Sequence, residues 1–236
     1  MKIAMTSANQ PVALNEDGTW QLLKPSASAM QKLQAAEQQP EILDFFKKLF
    51  ERIGVEIVDS DERFTCVHHG DKIEFEDGID EGLVDFCVRV YAYQIDRFLA
   101  ALREGYTEPL ARFRLVREIF RSSYQAGNSF FNNPVSTNPA FRKIINAKNL
   151  LHVHLLSPNK DEEQDATFTF FFVNGGWNLA QGLVGEPERT FRLSADEAIA
   201  LHSHVLSATR GSTLIEFPKL AKWYIDWRAR VEDKAA

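Results

Sequence analysis

Six histidines are the residues of this chain best suited to chemistry, and they fall in three close pairs: His68-His69, His152/His154 and His202/His204. On an extended strand, residues two apart point to one side, so His152 and His154 have the spacing of a two-histidine metal clamp. On a helix, His202 and His204 lie about 200° apart, and only one of them can join a shared site. His202 aligns with Leu99 on an apolar helix face, whereas His204 is expected to be exposed. A zinc or iron site would draw on His152, His154 and His202, and would imply a metal-assisted enzyme. No Cys-x-x-Cys or His-Glu-x-x-His spacing completes such a ligand set, so the expectation is ordinary, partly buried imidazoles with no metal and no cofactor.

Other catalytic patterns are missing. The sequence holds no Gly-x-x-x-x-Gly-Lys-Ser/Thr, Gly-x-Gly-x-x-Gly or Gly-x-Ser-x-Gly, so neither a phosphate loop nor a nucleophile elbow is indicated. The acidic pair Glu162-Glu163 lies in a polar stretch that reads as a solvated loop. Arg112, Arg114, Arg117 and Arg121 offer cations for a carboxylate or phosphate head group, but a solvated helix face is the expectation. No catalytic residue is assigned. Net charge is −6 and no Lys/Arg tract is present, which argues against nucleic-acid binding.

The aromatic pattern points to binding instead. Phe168, Phe170 and Phe172 project to one strand face, with Phe171 and Val173 on the other. A sheet buried on both sides would account for this. In the functional reading, one face lines an apolar cavity shared by Trp177, Phe191, Leu193 and His202.

The elements that must position these residues occur twice. Arg63 to Phe75 has a counterpart in Thr167 to Leu179; Phe64 and Phe168, like Gly78 and Gly182, lie 104 positions apart. Val88-Arg89-Val90-Tyr91-Ala92 matches Phe191-Arg192-Leu193-Ser194-Ala195 at an offset of 103. A repeat of this length means a duplicated domain, since solenoid units are far shorter. The first copy offers Phe64, Phe75, Phe86 and Val88 for a lining, with smaller or more polar neighbours, so the ligand is placed in the second copy.

In each copy a helix precedes alternating strands, and a second helix follows. The first helix is expected after Pro40, with Ile42, Phe45, Phe46, Leu49, Phe50 and Ile53 on one stripe and Gly54 at its end. Asn174-Gly175 predicts a tight hairpin, because both residues tolerate positive φ. Ser194-Ala195-Asp196-Glu197 is a capping box. The expected fold is α+β, in two similar domains, each an antiparallel sheet with helices packed on one face. The expected divisions are an N-terminal arm over 1–30, a first domain with a trailing helix over 31–126, a linker over 127–138, and a second domain with a C-terminal helix over 139–236.

The second copy, from Thr167 to Leu206, resembles the sterol carrier protein 2 (SCP2-like) family. The resemblance rests on Phe168-Thr169-Phe170, the glycine turn, Trp177-x-Leu179, the Gly/Glu/Pro linker and Phe191-Arg192-Leu193-Ser194-Ala195-Asp196-Glu197-Ala198. The first copy carries the same plan from Arg63 to Leu102, without the capping serine, and the bridge between copies is longer than a simple linker. The resemblance implies an apolar tunnel between sheet and helices that takes lipids, fatty acyl chains or sterols, and it brings no catalytic residue. Some members of that family are accessory domains with no established ligand.

The leading expectation is therefore a non-enzymatic protein that binds or carries a hydrophobic small molecule. The second is an accessory or assembly protein acting on a protein partner, and the third is a metal-assisted enzyme using His152 and His154. With 44% hydrophobic and 25% charged residues, the 236-residue chain suits two globular domains. Cys66 and Cys87 are expected as reduced thiols in a cytoplasmic protein. The N-terminus lacks the apolar core of a signal peptide, and no stretch reaches the roughly 18 apolar residues of a membrane span.

Overall fold

Positive φ at Asn174 (51°) and Gly175 (80°) folds the chain back on itself where the sequence asks for a hairpin. The computed structural model describes residues 2–5, 11–15, 18–22, 28–37, 39–104, 107–126, 131–210 and 213–232. Leu23 of the expected arm, Gly127 at the start of the expected linker and the last four residues, 233–236, lie outside the described residues.

Three short strands come first: β1 (Lys2–Met5), β2 (Pro11–Leu14) and β3 (Trp20–Leu22), paired antiparallel in that order. The expected arm or hairpin is thus a small sheet. The first unit follows as α1 (Ala29–Glu37), α2 (Pro40–Leu49), β4 (Arg52–Ile57), β5 (Arg63–His69), β6 (Lys72–Asp77), β7 (Phe86–Val90) and α3 (Ala92–Arg103). After α4 (Pro109–Gln125), the second unit comprises α5 (Pro139–Ile144), β8 (Leu150–Leu155), β9 (Ala166–Val173), β10 (Gly176–Gln181), β11 (Arg189–Leu193), α6 (Ala195–Arg210) and α7 (Thr213–Val231). Among the described residues, no helix is long and apolar enough to cross a membrane.

The fold is α+β, with two four-stranded sheets ordered β6-β5-β4-β7 and β10-β9-β8-β11. Three strands of each sheet are antiparallel, but β7 pairs parallel with β4, and β11 with β8. The sheets are therefore mixed. The loop after β6 crosses the face away from the helices, where Ile79 lies over Gly54, and delivers β7 to the far side of β4. A Cβ at Gly54 would come within 2.7 Å of the Ile79 side chain. Period-2 hydrophobicity marks a buried strand face but carries no information on strand direction.

One boundary and one element differ from the sequence reading. The stripe after Pro40 ends with α2 at Leu49; Ile53 and Gly54 belong to β4, where they pair with Cys66 and Thr65. Ladder pairing on both edges of β4 outweighs continued helical spacing. Helix α1 has no expected counterpart, because its buried stripe of Ala29, Leu33 and Ala36 is built mostly from alanine.

The two units share hydrogen bonds at equivalent positions. Thr65 Oγ1 donates to the Gly78 carbonyl at 2.8 Å, and Thr169 Oγ1 donates to that of Gly182 at 2.8 Å. Asp85 accepts the backbone amides of Glu51 and Arg52, as Glu188 accepts those of Asn149 and Leu150. The Tyr91 amide donates to Gln94 Oε1 and the Ser194 amide to Glu197 Oε2, both at 2.8 Å. Only the second unit adds the serine half of the box, Glu197 N–H to Ser194 Oγ at 3.3 Å. Val55 pairs with Phe64 and Val88; Val153 pairs with Phe168 and Phe191. The first strands are thus 98 positions apart rather than 104, because the loop from Leu156 to Ala166 is six residues longer than its counterpart.

Helix α4 serves both cores. Fully buried Leu115 packs in the first, while Phe113, Val116 and Phe120 pack in the second, and Ile119 touches both. It is a central wall rather than a trailing helix. Residues 131–138 are likewise part of the second unit: Phe131 stacks edge-on against Phe120 and Phe170, and Asn132 Nδ2 donates to the Trp177 carbonyl at 2.8 Å.

Candidate functional site

Each unit holds an apolar pocket between its sheet and its helices. The second is larger, about 210 Å³ against about 110 Å³. Both occupy the same place in the repeat. Phe170, Trp177, Phe191 and Leu193 line the second, and the equivalent Cys66, Ile73, Val88 and Val90 line the first. Ile119 of α4 borders both.

Five of the seven residues named from sequence come together around the larger cavity: Phe170, Trp177, Phe191, Leu193 and His202. Strand alternation puts the four non-histidine residues on the helix-facing side, with Leu151 and Val153 of β8 beside them. Phe168 shares that face but is consumed by packing, edge-on to Phe120 at 5.0 Å. Phe172 also lies outside the lining; its ring sits under the Arg142 guanidinium, 3.5 Å from the ring centroid. In the first unit Phe75, Phe86 and Val88 line the smaller cavity, and Phe64 is core.

The histidines do not assemble. His202 faces the cavity and meets Phe86 of the first unit edge-on at 5.6 Å. His152 and His154 project from the opposite face of the second sheet, where His152 Nε2 lies 3.1 Å from the Val184 carbonyl. His204 is exposed and stacked on Trp223 at 3.9 Å, with burial lowering its pKa. Among the described residues, no three His, Cys, Asp or Glu side chains are grouped to hold a metal. Cys66 and Cys87 are free thiols, and burial pushes both pKa values up.

The α4 arginines are ion-paired rather than solvated. Arg112 meets Asp196 at 2.7 Å, Arg121 meets Glu118 at 3.1 Å, and Glu163 bridges Arg114 (3.0 Å) and Arg117 (2.8 Å). Glu163 lies in the longer loop of the second unit, so the stretch expected to be solvated instead clamps α4. Burial raises the Glu163 pKa, but the two guanidiniums outweigh it and the net shift is downward.

Polar residues at the larger cavity come chiefly from one segment: half-buried Asn133, Ser136, Arg142 and Lys148. Asn133 is occupied in its own turn, accepting the amides of Val135 and Ser136. Arg142, on short α5, gives Nη2 to Asn149 Oδ1 at 2.8 Å and lies over Phe172 and Trp177. Its Nη1 is buried without a hydrogen-bond partner. Burial lowers its pKa, partly offset by the nearby Tyr224 phenol. Sequence reasoning passes over Arg142, since a single arginine on a six-residue helix has no periodicity to mark it. Comparison of the chain with protein-family models, curated proteins and solved structures finds no match.

Proposed function

We propose that the protein binds, and by doing so carries or sequesters, a small hydrophobic molecule in the cavity of its second unit, each unit being SCP2-like. The observation that supports this reading is an apolar pocket of about 210 Å³ walled by Phe170, Trp177, Phe191 and Leu193, with its polar groups gathered largely in one segment. Such a layout removes an apolar body from water while leaving a polar end to be oriented. Cavity size narrows the class. An apolar protein cavity of about 150 Å³ admits benzene, and by the same proportion 210 Å³ holds about eight carbons. A four-ring sterol belongs with ligands whose sites begin near ~300 Å³. The reading therefore favours a medium-length acyl chain or a single ring.

Titrating the delipidated protein calorimetrically with straight-chain alcohols from butanol to dodecanol tests this directly. Each buried methylene contributes about 0.8 kcal/mol, so affinity rises about fourfold per carbon. The rise is expected to stop at about eight carbons, when the cavity is full. No binding at any length, or a rise continuing to dodecanol as in surface adsorption, would overturn the proposal.

A further inference from the structure

Among the described residues, Arg52, Arg117, Arg142 and Arg189 each carry a buried guanidinium nitrogen without a hydrogen-bond partner. Three of these have a carboxylate at hand, Arg52 with Glu76, Arg117 with Glu163, and Arg189 with Glu232. Arg142 does not; no ion pair within 4.0 Å involves it among the described residues. A guanidinium nitrogen shielded from water with neither a hydrogen bond nor a counter-charge carries a desolvation cost, which is relieved when an acceptor arrives. This guanidinium is also held in place for one. Its plane rests on Phe172, its Nη2 is fixed by Asn149, and the residue lines the larger cavity.

We infer that Arg142 is the head-group anchor of this cavity, and that its ligand is an amphiphile with an apolar body of about eight carbons and a carboxylate end. The inference rests on the binding reading above and specifies its polar half. A carboxylate suits the site because the guanidinium offers a planar pair of donors matched to two oxygens, and the charge-assisted bonds are the strong ones. Lys148, the other cation of the lining, strengthens the same field without supplying a fork.

The experiment compares octanoate with octanol on the wild-type protein and on Arg142→Gln at neutral pH. The expected result is octanoate binding about tenfold or more tighter than octanol to the wild type. In Arg142→Gln that preference should vanish, with a cooperative urea transition showing the variant to be folded. Equal affinities in the wild type would overturn the anchor and leave the apolar cavity standing. A preference that survives in Arg142→Gln would place the anion elsewhere and overturn it as well. Binding of neither probe would overturn both this inference and the reading beneath it.

A second measurement needs no variant. The carboxyl carbon of ¹³C-labelled octanoate bound to the wild type should titrate below its free value, because the guanidinium favours the anion. Titration above the free value, as for a carboxyl buried in apolar surroundings alone, would contradict the assignment.

Discussion

Replacing Phe113 with alanine will destabilise both units together, by about 3–5 kcal/mol. Phe113 is fully buried in the second core, with the Arg117 guanidinium 5.3 Å from its ring centroid. The deletion leaves a cavity that a helix pinned by Glu163 through Arg114 and Arg117 cannot close. The effect spreads because Leu115, two residues away on α4, is equally buried in the first core. A helix shared in this way cannot leave one sheet and keep the other. Trp177, Trp223 and Trp227 report on the second unit, while the first unit from Ala29 to Arg103 contains no tryptophan. Urea unfolding followed by tryptophan fluorescence, and by amide exchange of β4 and β5, should therefore shift to one common lower midpoint in Phe113→Ala. Two separated transitions, with β4 and β5 keeping the wild-type midpoint, would show that the units fold independently.

Ala198→Phe should sharply weaken octanol binding without weakening the fold. Ala198 lies on α6 and lines the larger cavity. The substitution adds one phenyl ring, the body that a cavity of about 150 Å³ accommodates, so it occupies most of the 210 Å³. Octanol affinity is expected to fall on the order of a hundredfold, since most of the methylenes lose their place. Filling a void adds contacts, so the urea midpoint should stay or rise by about 1 kcal/mol of stability. Octanol bound as tightly as by the wild type, in a folded variant, would mean that the ligand sits elsewhere.

Much of the architecture is legible in the chain because it rests on local rules. The Asn174-Gly175 turn, the Ser194/Glu197 cap and the alternation in β9 each follow from one or two residues. That alternation also brought Phe170, Trp177, Phe191 and Leu193 to one lining. It could not separate them from Phe168, because lining a void and filling a core ask for the same side chains. The parallel fourth strands were hidden, since direction is set by a loop crossing and not by a residue pattern. Helix α4 was underread although its signal was present: Leu115 breaks the stripe of Phe113, Val116 and Phe120, and a helix apolar on two faces is buried on both. The role of Glu163 depends on contacts with residues more than forty positions away, which no local spacing encodes.

The most direct measurement is the set of intermolecular NOEs between bound octanol and the methyl and aromatic protons of the isotope-labelled protein. Contacts from the alkyl chain to Leu193, Phe191 and Phe170 are the expected result. Contacts confined to Val88 and Ile95 of the smaller cavity, or to exposed Leu183 and Val184, would contradict a ligand site in the second unit.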